Sequence, residues 1–153
     1  MIHITRINNT QGHLVFDLFN QYRVFYKQLS DIDLARRFIQ ERLDRNESII
    51  FVAASPDRKT AIGFAQLYPK YSSARAVRNW ILNDLYVDVA YRKRGIGTQL
   101  IQTAVAFAKA HQALFVELST ATNNKTAQQL YEQIGFKRQP PETTFYTYRI
   151  PIL

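Results

Sequence analysis

WILNDLYVDVAYRKRGIGTQL, residues 80–100, joins an apolar strand to a helical pattern through a basic turn that carries two glycines. The strand runs through Val87, a short polar turn follows, and then come Arg92-Lys93-Arg94-Gly95-Ile96-Gly97-Thr98. Amides at the start of a helix have no intrahelical partner, and the helix dipole adds partial positive charge there. Gly95 and Gly97 let an anion approach the backbone without a side chain in the way. Arg92, Lys93 and Arg94 add full charges beside the amides of Ile96 and Thr98. The run reads as a cradle for the pyrophosphate of a nucleotide-bearing cofactor. Taken alone, the three cations also fit a solvated loop or a nucleic-acid contact.

Downstream, Leu100, Ile101, Ala104, Val105 and Ala108 recur at helical spacing, so a helix is expected to end near His111. Ala113–Ser119 then reads as a short buried strand. Strand, helix and strand in this order form a βαβ unit, which predicts that the two strands are parallel. Asn123 or Asn124 caps a further helix with Ala127, Leu130, Tyr131 and Ile134 on one face, and Gly135 ends it. Pro140-Pro141 interrupts the chain, and Thr143–Ile150 is expected to close it as a strand.

Upstream, His3–Ile7 alternates like a strand, and Leu14, Val15, Leu18, Phe19, Tyr22 and Tyr26 predict a helix from about Thr10 to Tyr26. Ser30 with Asp33 resembles a capping box ahead of a second helix that buries Ala35, Ile39 and Leu43. Ser48–Ser55 and Thr60–Tyr68 read as a hairpin around Pro56-Asp57-Arg58-Lys59, with Gly63 marking a bulge. Pro69–Arg75 is expected to be a loop, and Val77–Val87 the longest strand. The expected class is α/β: one domain over residues 1–153, with a central twisted mixed sheet, antiparallel in its N-terminal half, and helices on both faces.

The chain has 153 residues, enough for one full core, and a formal net charge of +8. Excess positive charge suggests an anionic ligand, although the cations are scattered as on a solvated surface. No apolar run is long enough to span a bilayer, and the N-terminus has no apolar signal region, so a cytoplasmic protein without a membrane partner is expected. The absence of cysteine excludes disulfides, thiolate zinc sites and cysteine nucleophiles. His3, His13 and His111 have no metal-ligand spacing, so no metal is expected.

Arg92-x-x-Gly95-x-Gly97 after a strand ending in Leu85-Tyr86-Val87, followed by Asn124-x-x-Ala127-x-x-x-Tyr131-x-x-x-Gly135-Phe136, resembles the GNAT superfamily of acyl-CoA-dependent N-acyltransferases. Phe64-Ala65 and Leu82–Val87 are similar to the diamine acetyltransferase branch and its small-amine relatives. Where those enzymes carry a Glu, this chain has Asn83. Where they carry another acid after the first-helix tyrosine, it has Arg23 after Tyr22. The missing acids count against polyamines and favour an amine that also bears an anion, since Arg suits planar anions.

The resemblance implies acetyl-CoA as donor and direct attack by a neutral amine in a ternary complex. It places the coenzyme A contacts on Leu85, Tyr86, Val87, the run Arg92–Thr98, Asn124, Ala127 and Tyr131. The pantetheine arm would pair with the strand where it splays from its neighbour after Val87, and a nearby backbone amide would hold the oxyanion. Tyr131 would protonate the leaving thiolate; otherwise it is an aromatic on the buried face of its helix. Asp84 is either a base acting through water or a structural carboxylate paired with an Arg, on the face opposite Asn83, Leu85 and Val87. Glu117, on the buried strand, is given a structural hydrogen bond. Tyr22, Arg23, Tyr26 and Asn83 are expected near the acceptor amine, where the first helix meets the cleft.

The expected activity is therefore acetyl transfer to the primary amine of a small molecule, amino-acid-like or polyamine-like. The alternatives are a protein or peptide N-acetyltransferase and a non-enzymatic nucleic-acid-binding domain. A dinucleotide-binding domain is disfavoured because Leu100 stands three residues after Gly97, where its fingerprint needs a third glycine. No nucleic-acid partner is expected. The aromatic C-terminal strand (Phe145, Tyr146, Tyr148) suggests a homodimer by exchange or edge pairing.

Overall fold

The computed structural model describes residues 2–152. These form a five-stranded sheet in the order β1-β2-β3-β4-β5, with β1 His3–Arg6, β2 Ile49–Ala54, β3 Ala61–Ser72, β4 Val77–Val87 and β5 Val116–Glu117. The first four strands are antiparallel, and β5 runs parallel to β4. Helices α1 (Phe16–Phe25) and α2 (Ile32–Asp44) cover one face, and α3 (Ile96–Ala110) covers the other. Helix α4 (Lys125–Ile134) follows β5.

Each face has its own core. Leu18 and Phe19 of α1, and Ala35, Ile39 and Leu43 of α2, pack on Ile50, Val52 and Phe64 of the sheet. The α2 residues stand four apart, so they form one stripe and are buried together. On the opposite face, Ile96, Leu100, Ile101, Ala104 and Ala108 of α3 pack on Ala65, Leu67, Trp80 and Leu82.

Several boundaries differ from expectation, each for a local reason. Helix α1 begins at Phe16 because Asn8 Oδ1 accepts from the Thr10 amide at 2.9 Å, and a 3₁₀ turn, Gly12–Leu14, intervenes. The cap of α2 is Asp31, whose carboxylate accepts from the Leu34 amide at 3.0 Å, while Ser30 Oγ is engaged by Asn20 Nδ2 at 3.0 Å. Strand β3 continues through Pro69 to Ser72. Pro69 lies beyond the end of β2, so its missing N–H breaks no ladder on that side.

Strand β5 spans only Val116–Glu117, not Ala113–Ser119. It pairs with β4 at Trp80 and Ile81, and Glu117 is not buried but forms an ion pair with Lys70 at 2.5 Å. Residues 143–150 form no strand, contrary to expectation; Phe145, Tyr146, Tyr148 and Ile150 stand 75–91% exposed.

Two bulges shape the centre of the sheet. Ala53 faces Gly63 and Ala54 faces Ala61, so Ile62, next to Gly63, is the extra residue of β3. Gln66 faces Asp84 and Leu67 faces Leu82, so Asn83 is the extra residue of β4. The second bulge reverses the alternation. Leu82 and Leu85 both face α3, while Asp84 and Tyr86 face α1.

Candidate active site

Strand β4 runs to Val87 but has its β5 neighbour only as far as Ile81. Among the described residues, the edge toward β5 has no strand beside it from Leu82 to Val87. The splay thus begins at Leu82, six residues earlier than expected. Such an edge offers backbone donors and acceptors to an extended ligand arm, and Leu85, Tyr86 and Val87 all lie along it.

The open edge leads into the turn before α3. Gly95 caps this helix with φ of 78°, a left-handed conformation that costs other residues about 1–2 kcal/mol. A Cβ on either Gly95 or Gly97 would meet nothing within 4 Å. The first intrahelical bond runs from the Gln99 amide to the Gly95 carbonyl at 3.1 Å, so the amides of Ile96, Gly97 and Thr98 stand at the open end. These bare amides in a basic turn suit a diphosphate. The three cations are placed differently. Arg92 donates from Nε to the Val87 carbonyl at 2.9 Å, and its guanidinium lies over Tyr86 and Phe25 at 5.3 and 5.6 Å. Arg94 lies over Tyr91 at 5.4 Å, and Lys93 is exposed.

Behind the strand stands a buried polar chain. Asp84 is 2% exposed; its carboxylate accepts from Gln66 Nε2 at 2.5 Å and from Asn83 Nδ2 at 2.7 Å. Ser48 Oγ donates to Gln66 Oε1 at 2.8 Å, which leaves the Gln66 amide nitrogen pointing at Asp84. The Tyr22 hydroxyl donates to the Asn83 carbonyl at 3.4 Å and also lies close to the carboxylate. Burial pushes the Asp84 pKa above the ordinary carboxylate value, and the bonds from Asn83, Gln66 and Tyr22 oppose that rise. Burial and the neighbouring carboxylate push the Tyr22 and Tyr68 phenols up. Among the described residues no Lys or Arg forms an ion pair with Asp84.

Tyr22 leads from Asp84 into an aromatic cluster. The Tyr22 and Tyr26 rings are 4.9 Å apart. Tyr131, on α4, has its pKa raised by burial and then by the Tyr26 phenol, which keeps it protonated. A buried carboxylate thus stands on the α1 side of an open strand edge, and a protonated phenol stands on α4. Such an arrangement can accept a proton at the carboxylate and donate one from the phenol.

Three further expected residues make hydrogen bonds within the chain. Asn124 caps α4, accepting from the Ala127 amide at 3.1 Å. Arg23 donates to the Leu29 carbonyl at 3.2 Å and so braces the α1–α2 loop. Asn83 turns its carboxamide onto Asp84 through the bulge, which corrects its expected placement on the opposite face. Ser48, Gln66 and Tyr68 were not expected at the site. The only signal for Gln66 was a polar side chain within an apolar strand.

Residues 13–136 match the acetyltransferase (GNAT) family model. The chain is 38% identical over 136 residues to an uncharacterized N-acetyltransferase of Bacillus subtilis, covering 89% of this chain and 90% of that one. It is 32% identical over 132 residues to a probable acetyltransferase of Haemophilus influenzae, covering 86% and 88%. The crystal structure of a probable acetyltransferase superposes with a TM-score of 0.87 at 37% identity, over 98% of this chain and 97% of that one.

Proposed function

We propose that this chain, which belongs to the acetyltransferase (GNAT) family, transfers an acetyl group from acetyl-CoA to the primary amine of a small molecule. The observation that carries the reading is the open β4 edge from Leu82 to Val87, which leads into the bare amides of the glycine turn and has the buried Asp84 carboxylate behind it. The bare amides of Ile96, Gly97 and Thr98 fit a pyrophosphate, and the edge Leu82–Val87 fits an extended pantetheine arm. Bound there, acetyl-CoA supplies a thioester carbonyl and a thiolate leaving group.

The chain's own groups supply the proton movements. A carboxylate at Asp84 attracts an ammonium to the α1 side of β4 and, through Tyr22 or a water, takes the proton that makes the amine nucleophilic. A backbone amide on the open edge faces the oxygen on which charge develops. As the new N–C bond forms and the C–S bond breaks, Tyr131 donates its phenolic proton to sulfur. The second nitrogen proton passes through water to the Tyr131 phenolate and restores it, and Asp84 returns its proton to solvent.

One buried carboxylate suits one ammonium, so the acceptor is a small amine, amino-acid-like or polyamine-like. Among the described residues no helix is long and apolar enough to cross a membrane, and the reading is of a cytoplasmic homodimer. Thermal unfolding with acetyl-CoA, NADH and a DNA duplex, followed by thiol release with amines and a peptide, tests it. Ligand at a hundredfold over Kd adds about 2.7 kcal/mol of stability. Stabilisation by acetyl-CoA and turnover with amines are expected. Stabilisation by DNA alone, or turnover with the peptide alone, would contradict the reading.

A further inference from the structure

Arg92 belongs to the glycine turn in sequence but reaches the α1 side of the sheet in space. Its Nε donates to the Val87 carbonyl at 2.9 Å, and its guanidinium lies 5.3 Å from the centre of the Tyr86 ring and 5.6 Å from that of Phe25. Tyr86 packs on the α1-side core, and Phe25 belongs to α1 itself. The rings take up the faces of the guanidinium and Val87 takes Nε, so the fork of terminal nitrogens is left for a ligand. Arg92 is exposed, and among the described residues it forms no ion pair. Asp88, the nearest acid in sequence, is engaged by the Ala90 amide at 2.9 Å.

The same side of β4 carries the opposite charge. Asp84, with its carboxylate toward Tyr22 of α1, stands three residues before Val87 in β4, which is about 10 Å along a strand. Between these two positions lie Tyr22 and Tyr86, whose ring centres are 6.5 Å apart. An acid, an aromatic wall and a guanidinium thus follow one another along one face of the strand. Arg23, the other cation expected on this side, is engaged by the Leu29 carbonyl at 3.2 Å.

We infer that Arg92 selects the acceptor, and that the acceptor is a short ω-amino acid. Its amine turns to Asp84, its methylene chain lies along Tyr22 and Tyr86, and its carboxylate enters the Arg92 fork. Two parallel N–H···O bonds suit that last pairing. A diamine would bring a second ammonium to the guanidinium and is rejected by like charge. An amine and a carboxylate on one carbon do not fill the span, whereas a chain of about three carbons does. The diphosphate is left to the amides of Ile96, Gly97 and Thr98 and to Lys93 and Arg94. The inference rests on the acetyl-transfer reading, which supplies the amine's place at Asp84, and it narrows the acceptor of that reading.

Calorimetric binding of γ-aminobutyrate, n-propylamine, glycine and the diamine of equal chain length to the full chain saturated with coenzyme A tests it. γ-Aminobutyrate is expected to bind about tenfold tighter than n-propylamine, the worth of one hydrogen bond between charged groups. Arg92→Gln is expected to remove that preference. Arg92→Lys, which keeps the charge without the fork, is expected to retain part of it. The readout is a ratio between two amines, which a purely structural role for Arg92 would not move. Equal binding of n-propylamine or the diamine, or tighter binding of glycine, would overturn the inference. So would a preference that survives in Arg92→Gln while coenzyme A binds more weakly, because Arg92 would then serve the diphosphate. Coenzyme A that fails to bind the unmodified chain would overturn both this inference and the acetyl-transfer reading. Coenzyme A that binds with no preference among the amines would overturn this inference alone.

Discussion

Gln66 and Asp84 meet across the β3–β4 pairing at 2.5 Å, carboxamide Nε2 to carboxylate Oδ2, both shut off from solvent. The pair exists because Asn83 is bulged out of β4, which turns Asp84 toward α1 and aligns it with Gln66. Ser48 completes the arrangement by occupying the carbonyl end of Gln66.

Gln66→Leu removes a donor from a buried carboxylate and leaves the Ser48 hydroxyl without its acceptor. The cost is expected at about 1–3 kcal/mol in denaturant unfolding. The pH at which activity turns on should move upward, because burial then acts on Asp84 with less opposition. An unchanged midpoint and an unchanged profile would show that the bond matters to neither.

Asp84 also links stability to pH. Its pKa in the fold is raised, so the native state holds a proton that the unfolded chain has already released. Its contribution is most favourable below the ordinary carboxylate pKa and declines as pH rises through the raised value. Asp84→Asn should therefore flatten the stability–pH curve in that window. It should also lower kcat/KM by about 10²–10⁴-fold, the usual worth of a general base, and remove the acid limb of the pH–rate profile. Retention of that limb would assign the base elsewhere.

Tyr131→Phe deletes one oxygen from a half-buried ring that packs at 6.1 Å from Phe136. Packing is kept, so the melting temperature should hold. The rate should fall by roughly 10²-fold if proton donation to the thiolate is the lost function. Equal turnover in the variant would reduce Tyr131 to a packing residue.

Gly97→Asp places a carboxylate where a Cβ meets nothing within 4 Å. The fold has room for it, so stability should change little. The KM for acetyl-CoA should rise at least about tenfold, from like-charge repulsion of the pyrophosphate and the loss of bare amides. An unchanged KM would move the phosphates away from this turn.

Much of this was legible in the residues. The strand–glycine turn–helix of 80–100 and the Ala35, Ile39, Leu43 stripe predicted α3 and α2, because their periodicity reflects the buried face itself. The parallel β4–β5 pairing followed from the intervening helix. The bulge at Asn83 was not legible, since one extra residue leaves no mark in the hydrophobic pattern of a strand buried on both faces. Without it, Gln66 could not be aligned with Asp84. The engagement of Arg92 with Val87, Tyr86 and Phe25 was hidden for a related reason: those partners come from other elements. The C-terminal alternation misled because a strand needs a partner, and residues 143–150 pair with none in the described chain.

The most direct test is to incubate the protein with acetyl-CoA and a panel of small amines, and to identify the products by mass spectrometry beside a count of released thiol. N-acetylated amine formed in equal amount to free coenzyme A, and sharply reduced by Tyr131→Phe, is the predicted result. Thiol release without any acetylated amine, or no release with any amine while acetyl-CoA fails to stabilise the fold, would contradict it.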